Sequence, residues 1–224
     1  MPNPGDPDLD PYDPKGTTMS LPTLLRGAAL LLLAAAPLAS QQTLTLRGEL
    51  DEGRSTGCYY CPNVPYTIKY SETPVRSSTV DLSYYKALSA QLILHGNWDT
   101  TKTPAGLEVT RVEVVTESLS VGNTAKLGSP LRFSIYGPAG SVARPAVALG
   151  NGFLPLFQSA LLIDPLTLVP IGTNTIDSSG QWRFDLTVPN DAGLVGLRFW
   201  TQALIAPPSA TPFLSNPERT QIQR

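Results

Sequence analysis

Short runs that alternate apolar and polar residues, broken every few residues by Gly, Pro, Asn or Asp, recur from residue 43 to the end of the chain. An alternation of period two gives a strand one buried face and one wet face, and it does not fit a helix. In the first half the runs are Thr43–Leu50, Tyr66–Tyr70, a short segment from Pro74, Ala90–Trp98 and Leu107–Val115. Between the third and fourth, Asp81-Leu-Ser-Tyr-Tyr-Lys-Ala-Leu88 offers an Asp N-cap and apolar residues at 82, 85 and 88, which predicts one short helix. In the second half the expected strands are Leu131–Tyr136, Ala146–Leu149, Ala160–Ile163, Thr167–Ile171, Trp182–Val188, Leu197–Ile205 and Thr220–Ile222. The chain therefore reads as all-β with one short helix.

Upstream of the strands, an apolar run over residues 28–39 follows Met19 and the single positive charge of Arg26, and ends in small residues before Gln41-Gln42. This is the layout of a secretory signal peptide, too short for a bilayer core, which takes about 20 apolar residues. The expectation is an exported protein, periplasmic, cell-surface or extracellular in a bacterium, cleaved near Ser40. Residues 1–18, rich in Pro and Asp, read as a disordered lead or a mis-assigned start. No Cys stands at the cleavage site to carry a lipid. Residues 1–40 hold four of the 18 acids and two of the 16 bases, so the remainder has no net charge. That balance argues against nucleic-acid binding, which needs a basic field, and against capture by an anionic membrane surface. No membrane span is expected after signal removal.

The order strand, strand, strand, helix, strand, strand over residues 41–118 resembles an oligonucleotide/oligosaccharide-binding (OB) barrel of five strands. The phrase Ala90-Gln-Leu-Ile-Leu-His-Gly96 is similar to the fourth strand of small exported OB-like domains. Residues 119–129 read as a linker. The seven short strands of 130–224 suggest an immunoglobulin-like β-sandwich, with Trp182, Phe184, Leu186 and Val188 on one core-facing side. This half resembles an uncharacterised sandwich module of exported bacterial proteins through Gly128-Ser-Pro-Leu-Arg-Phe, Asp177-Ser-Ser-Gly-Gln-Trp, Gly196-Leu-Arg-Phe-Trp-Thr-Gln-Ala203 and Leu214-Ser-Asn216. That resemblance implies no activity and carries no site residues.

Cys58-Tyr-Tyr-Cys61 contains the only two cysteines. In an exported protein the pair reads first as a local structural disulfide. A thiol redox site would want a helix after the first Cys, and Pro62 and Pro65 oppose one. Zinc would need further ligands, with His95 alone to join. Ser83-Tyr-Tyr-Lys86 matches S-x-x-K by chance, without its companion motifs. His95, the sole histidine, would have to serve any Ser-His-Asp triad, yet no G-x-S-x-G elbow exists. Gly150-Asn-Gly152 reads as a turn, and Asp164, Asp177, Asp185 and Asp191 as turn and cap residues rather than calcium ligands. No metal or cofactor is expected.

Tyrosines near strands two and three of an OB-like barrel could stack on sugar rings. Of the four there, Tyr66 and Tyr70 read as core, and the expected ligand-binding pair is Tyr59 and Tyr60. The function so read is a non-catalytic exported binding, adhesion or envelope protein with a glycan or envelope-protein partner. The alternatives are a thiol–disulfide redox protein using the CxxC, or a secreted hydrolase.

Overall fold

Strand β1 (Gln42–Gly48) and strand β2 (Leu50–Glu52) are one segment broken at Glu49. At the break a Cβ on Gly48 would lie 2.5 Å from Ile68 Cγ2, so only glycine lets the two halves diverge against Ile68. The computed structural model describes residues 42–53 and 64–224. β3 (Tyr66–Ile68), β4 (Thr73–Arg76), helix α1 (Leu82–Leu88), β5 (Gln91–Asp99) and β6 (Gly106–Val115) complete the first half. The strands form a six-stranded sheet in the order β1-β5-β6-β4-β3-β2, with β4 and β6 parallel. Among the described residues no ladder joins its ends. Instead the terminal strands β1 and β2 are continuous in sequence, so the expected five-stranded barrel is a sheet of six strands whose edges meet through Gly48 and Glu49.

The inner face follows the alternation read from sequence. Leu44, Leu46, Leu50, Ile68, Leu92, Leu94, Leu107 and Val109 are wholly or almost wholly buried in one cluster. The β5–β6 ladder shifts register between His95 and Gly96, with Thr110 the extra residue of β6, and a Cβ on Gly96 would meet the Glu108 carbonyl oxygen at 2.2 Å. α1 begins where the sequence places it: the Asp81 side chain accepts from Ser83 N at 3.0 Å, and Leu82 is its buried residue.

The expected linker 119–129 departs from expectation. It contains β7 (Leu119–Val121) and β8 (Thr124–Lys126), and Leu119, Val121 and Ala125 are buried. Three-residue strands interrupted by Gly122-Asn123 show too little periodicity to be read beforehand. The remaining strands are β9 (Pro130–Tyr136), β10 (Val142–Ala148), β11 (Asn151–Leu156), β12 (Ser159–Ile163), β13 (Val169–Pro170), β14 (Asn174–Thr175), β15 (Gln181–Thr187), β16 (Arg198–Ala206), β17 (Phe213–Leu214) and β18 (Glu218–Gln223). One sheet runs β13-β10-β16-β18-β8, with β14 on β10 and β17 on β16. A second runs β15-β9-β7. Phe133, Ile135, Ala143, Ala203, Ile205 and Ile222 from the two sheets share one core, the arrangement of a β-sandwich.

The hairpin β11–β12 ties the two halves. All five residues of β12 are buried. Ala160 and Leu162 enter the core of the first sheet, while Leu161 and Ile163 pack with Ala146, Ala148 and Leu214. An apolar run without alternation is what a strand buried on both faces requires. Thr45 N donates to Gln158 O at 2.8 Å, and Leu162 N to the buried Gln202 Oε1 at 2.7 Å. The described residues, 42–53 and 64–224, accordingly fall in one compact unit, with 119–129 built into its sheets.

Candidate functional site

The turn between β3 and β4, Lys69–Glu72, stands where the first sheet meets the second half. Tyr70 and Glu72 both adopt left-handed backbone, at φ 67° and 59°. A non-glycine residue there costs on the order of 1–3 kcal/mol and persists only when its surroundings hold it. The holding groups come from the second half: Trp200 Nε1 donates to Tyr70 O at 2.6 Å, and Asn151 Nδ2 donates to Ser71 O at 2.8 Å. Within the turn, Ser71 Oγ donates to Ile68 O at 3.1 Å. The strain places the Tyr70 ring between two cavities.

The first is a groove of about 440 Å³ whose lining includes Asp51, Glu52, Thr67, Tyr70, Glu72, Trp200 and Arg219. Asp51, Thr67 and Pro74 are in register across β2, β3 and β4, so a single row of the sheet's outer face forms its floor. The Arg219 guanidinium lies 5.1 Å and Lys69 Nζ 5.4 Å from the Tyr70 ring centroid, within cation–π range. Gly53 N donates to Pro65 O at 3.0 Å, and their neighbours Glu52 and Val64 line this groove.

The second cavity, about 340 Å³, is lined by Glu49, Lys69, Tyr70, Gln91, Glu117 and Glu218. Lys69 and Glu49 form an ion pair at 2.7 Å. Glu218 is buried, with 9% of its surface exposed. Burial, reinforced by the nearby charge of Glu117, pushes its carboxyl up to about 7. Asn216 fixes it: Nδ2 donates to Glu218 Oε1 at 2.8 Å and to Leu119 O at 2.8 Å, while Oδ1 accepts from Ser118 N and Leu119 N at 3.0 Å each. Burial also raises the Tyr70 phenol above its ordinary value, with Lys69 opposing that shift.

Cys58, Cys61, Tyr59 and Tyr60 lie outside the described residues. His95 sits half-buried on β5, opposite Thr45 of β1. Its Nδ1 is 3.2 Å from Thr45 Oγ1 and its Nε2 is 3.0 Å from Glu113 Oε1, with an Arg111 nitrogen 3.1 Å from the same Nε2. Hydroxyl, imidazole and carboxylate thus stand in line across three strands. None of them lines either cavity, and Arg111 binds the same Glu113 oxygen at 2.7 Å, which holds the row as a cross-strand network.

The aspartates serve turns and pairs. Asp164 accepts from Leu166 N and Thr167 Oγ1, Asp177 from Ser179 N and Gln181 N, and Asp191 from Gly193 N. Asp185 takes both arms of the Arg132 fork at 3.0 and 3.1 Å. Ser83 Oγ donates to Asp81 at 2.6 Å, and Lys86 reaches towards Glu52 at 3.7 Å, so the S-x-x-K residues are cap and surface residues. Among the described residues no group of three or more His, Cys, Asp or Glu could hold a metal ion. Asn151 and Gly152, expected in a turn, open β11.

Sequence reasoning passed over Trp200, Glu218 and Arg219, and it assigned Tyr70 to the core. Each stands in an ordinary strand or turn, and only the packing of β16 and β18 beside the β3–β4 turn brings them together.

No protein-family model matches the chain, and no curated protein matches it in sequence. Among solved structures it has a likeness to the superoxide reductase (neelaredoxin) from Ignicoccus hospitalis, at 10% identity and a TM-score of 0.34, over 49% of this chain and 81% of that one. A likeness at that level carries no argument.

Proposed function

We propose that this chain is an exported, non-catalytic binding protein that takes a polar, sugar-like ligand in the groove beside Tyr70. The observation that carries the reading is the groove itself: a concave site of about 440 Å³ on the outer face of β2–β4, walled by an aromatic pair and an arginine and held by a strained turn. Concave sites with aromatic walls and a few fixed polar groups suit ligands that present both ring faces and hydroxyls. Asp51 and Thr67 supply an acceptor and a hydroxyl on the floor, and Arg219 supplies donors on the wall.

Export rests on the apolar run behind Arg26 and on the paired cysteines. A Cys58–Cys61 disulfide would hold Tyr59 and Tyr60 rigid, and Val64, which follows in sequence, lines the groove. The zero net charge of the exported portion favours a neutral ligand over a nucleic acid.

The test is a glycan array probed with the purified protein, followed by titration calorimetry on any ligand found. Arg219→Ala and Thr67→Ala should each weaken binding at least several-fold while leaving the unfolding temperature nearly unchanged. Binding that ignores both substitutions places the site elsewhere.

A further inference from the structure

We propose that the exposed edge of β15 pairs with the same strand of a second copy, making an antiparallel homodimer with its two-fold axis at Phe184. A free strand edge is a template for another strand, and soluble proteins blunt such edges by shortness, charged side chains, proline, bulges or cover. Several other edges among the described residues are treated in one of these ways, the stretch of β6 beyond its two-residue pairing with β4 being an exception. β2, β7 and β8 are three residues long, and β13 is two residues with Pro170. β11 carries Pro155 and a register shift, and β1 meets the Gln158 carbonyl. β15 is seven residues long, without proline, in unbroken register with β9, and no other described strand pairs with it.

The side chains fix which partner fits. In an antiparallel pair centred on Phe184, Arg183 of one copy stands opposite Asp185 of the other, and the reverse holds by symmetry. Trp182 then faces Leu186 and Gln181 faces Thr187. Moving the axis to residue 183 would set arginine against arginine, and moving it to 185 would set aspartate against aspartate. Only the central register matches charges, and facing opposite charges stabilise a ladder while facing like charges oppose it. Arg183 and Asp185 are exposed. Asp185 already receives the Arg132 fork, and a carboxylate has lone pairs left for a second guanidinium. On the inner side, Trp182 and Phe184 stack at 4.6 Å against the sandwich core, and Leu186 is 36% exposed. Pairing would lay the partner's Trp182 over that Leu186, extending one apolar layer across both copies. Such an interface is isologous and closed, so it ends at two copies.

Sedimentation velocity over a concentration series tests this with the full chain as purified from a bacterial host. The expected result is a reversible monomer–dimer equilibrium below about 1 mM, the weak end of specific association. Arg183→Glu sets two carboxylates against each other in a self-pair, and Asp185→Lys sets two cations against each other. Each variant alone should sediment as a monomer at concentrations where the wild type is half dimeric. Mixed in equal amounts they should dimerise again, because both cross-strand pairs are then opposite in charge. Arg183→Gln, which removes a charge without reversing it, should shift the midpoint to several-fold higher concentration. Circular dichroism checks that the fold of each variant is kept. A wild-type monomer throughout, a dimer indifferent to either reversal, or a mixture that stays monomeric would each overturn the proposal.

Discussion

Glu218→Gln should stabilise this protein at alkaline pH and leave it almost unchanged in acid. The wild-type carboxyl is buried, faces Glu117 and titrates at about 7 when folded, against 4.5 as a free side chain. Its folded value is raised, so the folded state holds the proton that the unfolded state has released between those two values. Stability from this group is therefore fully present below about pH 4.5 and is lost as pH rises through 7. A gap of about 2.5 pH units at 1.36 kcal/mol each amounts to roughly 3 kcal/mol. Glutamine keeps the oxygen that accepts from Asn216 Nδ2 and removes the charge. Urea unfolding followed by tryptophan fluorescence at pH 4, 6 and 8.5 measures the difference between the two proteins. That difference should grow by about 3 kcal/mol towards alkaline pH, or roughly 6–12 °C in melting temperature for a chain of this size. Exposed carboxylates such as Asp81, Asp99 and Asp177, which hydrogen bonds hold below their ordinary range, titrate in both proteins and cancel. A difference that is flat across this range would refute the reasoning.

Leu162→Ala, which empties a site in the core shared by β12 and the first sheet, should cost about 2–5 kcal/mol and lower a single unfolding transition, as calorimetry will show. Asn216→Ala strands backbone groups of Ser118 and Leu119 that it now satisfies and should cost on the order of 2–3 kcal/mol by denaturant titration. Limited proteolysis should spare 119–129, because both strands there are paired and their apolar side chains buried. Cys58→Ser with Cys61→Ser should lower stability modestly, by about 2–3 kcal/mol at most for so short a loop, and the wild type should weigh two hydrogens less than its reduced form by intact mass.

What could be read from sequence was what local periodicity encodes. Thr43–Leu50, Ala90–Trp98, Leu107–Val115, Leu131–Tyr136, Trp182–Val188 and Leu197–Ile205 alternate long enough to declare strands, and each is one within a residue or two, save that the first is divided at Glu49. The helix at 82–88 declared itself through Asp81. The junction did not. β7 and β8 are too short to show a period, and β11 hides behind Pro155 and Gly152. Ala160–Ile163 was legible as a strand, yet nothing local says that its alternate residues serve two different cores. The same limit hid the groove. Tyr70 and Trp200 are 130 residues apart, and the hydrogen bond that joins them is a product of tertiary packing.

The central claim is that the groove beside Tyr70 holds a neutral, sugar-like ligand. Its most direct test is titration calorimetry of the purified protein and of Arg219→Ala against the strongest hit of a glycan array, at low and high salt. The wild type should bind saturably at one to one with little salt dependence, and removing Arg219 should weaken binding at least several-fold. Equal binding by both proteins, or binding that collapses with salt and extends to nucleic acid, would contradict it.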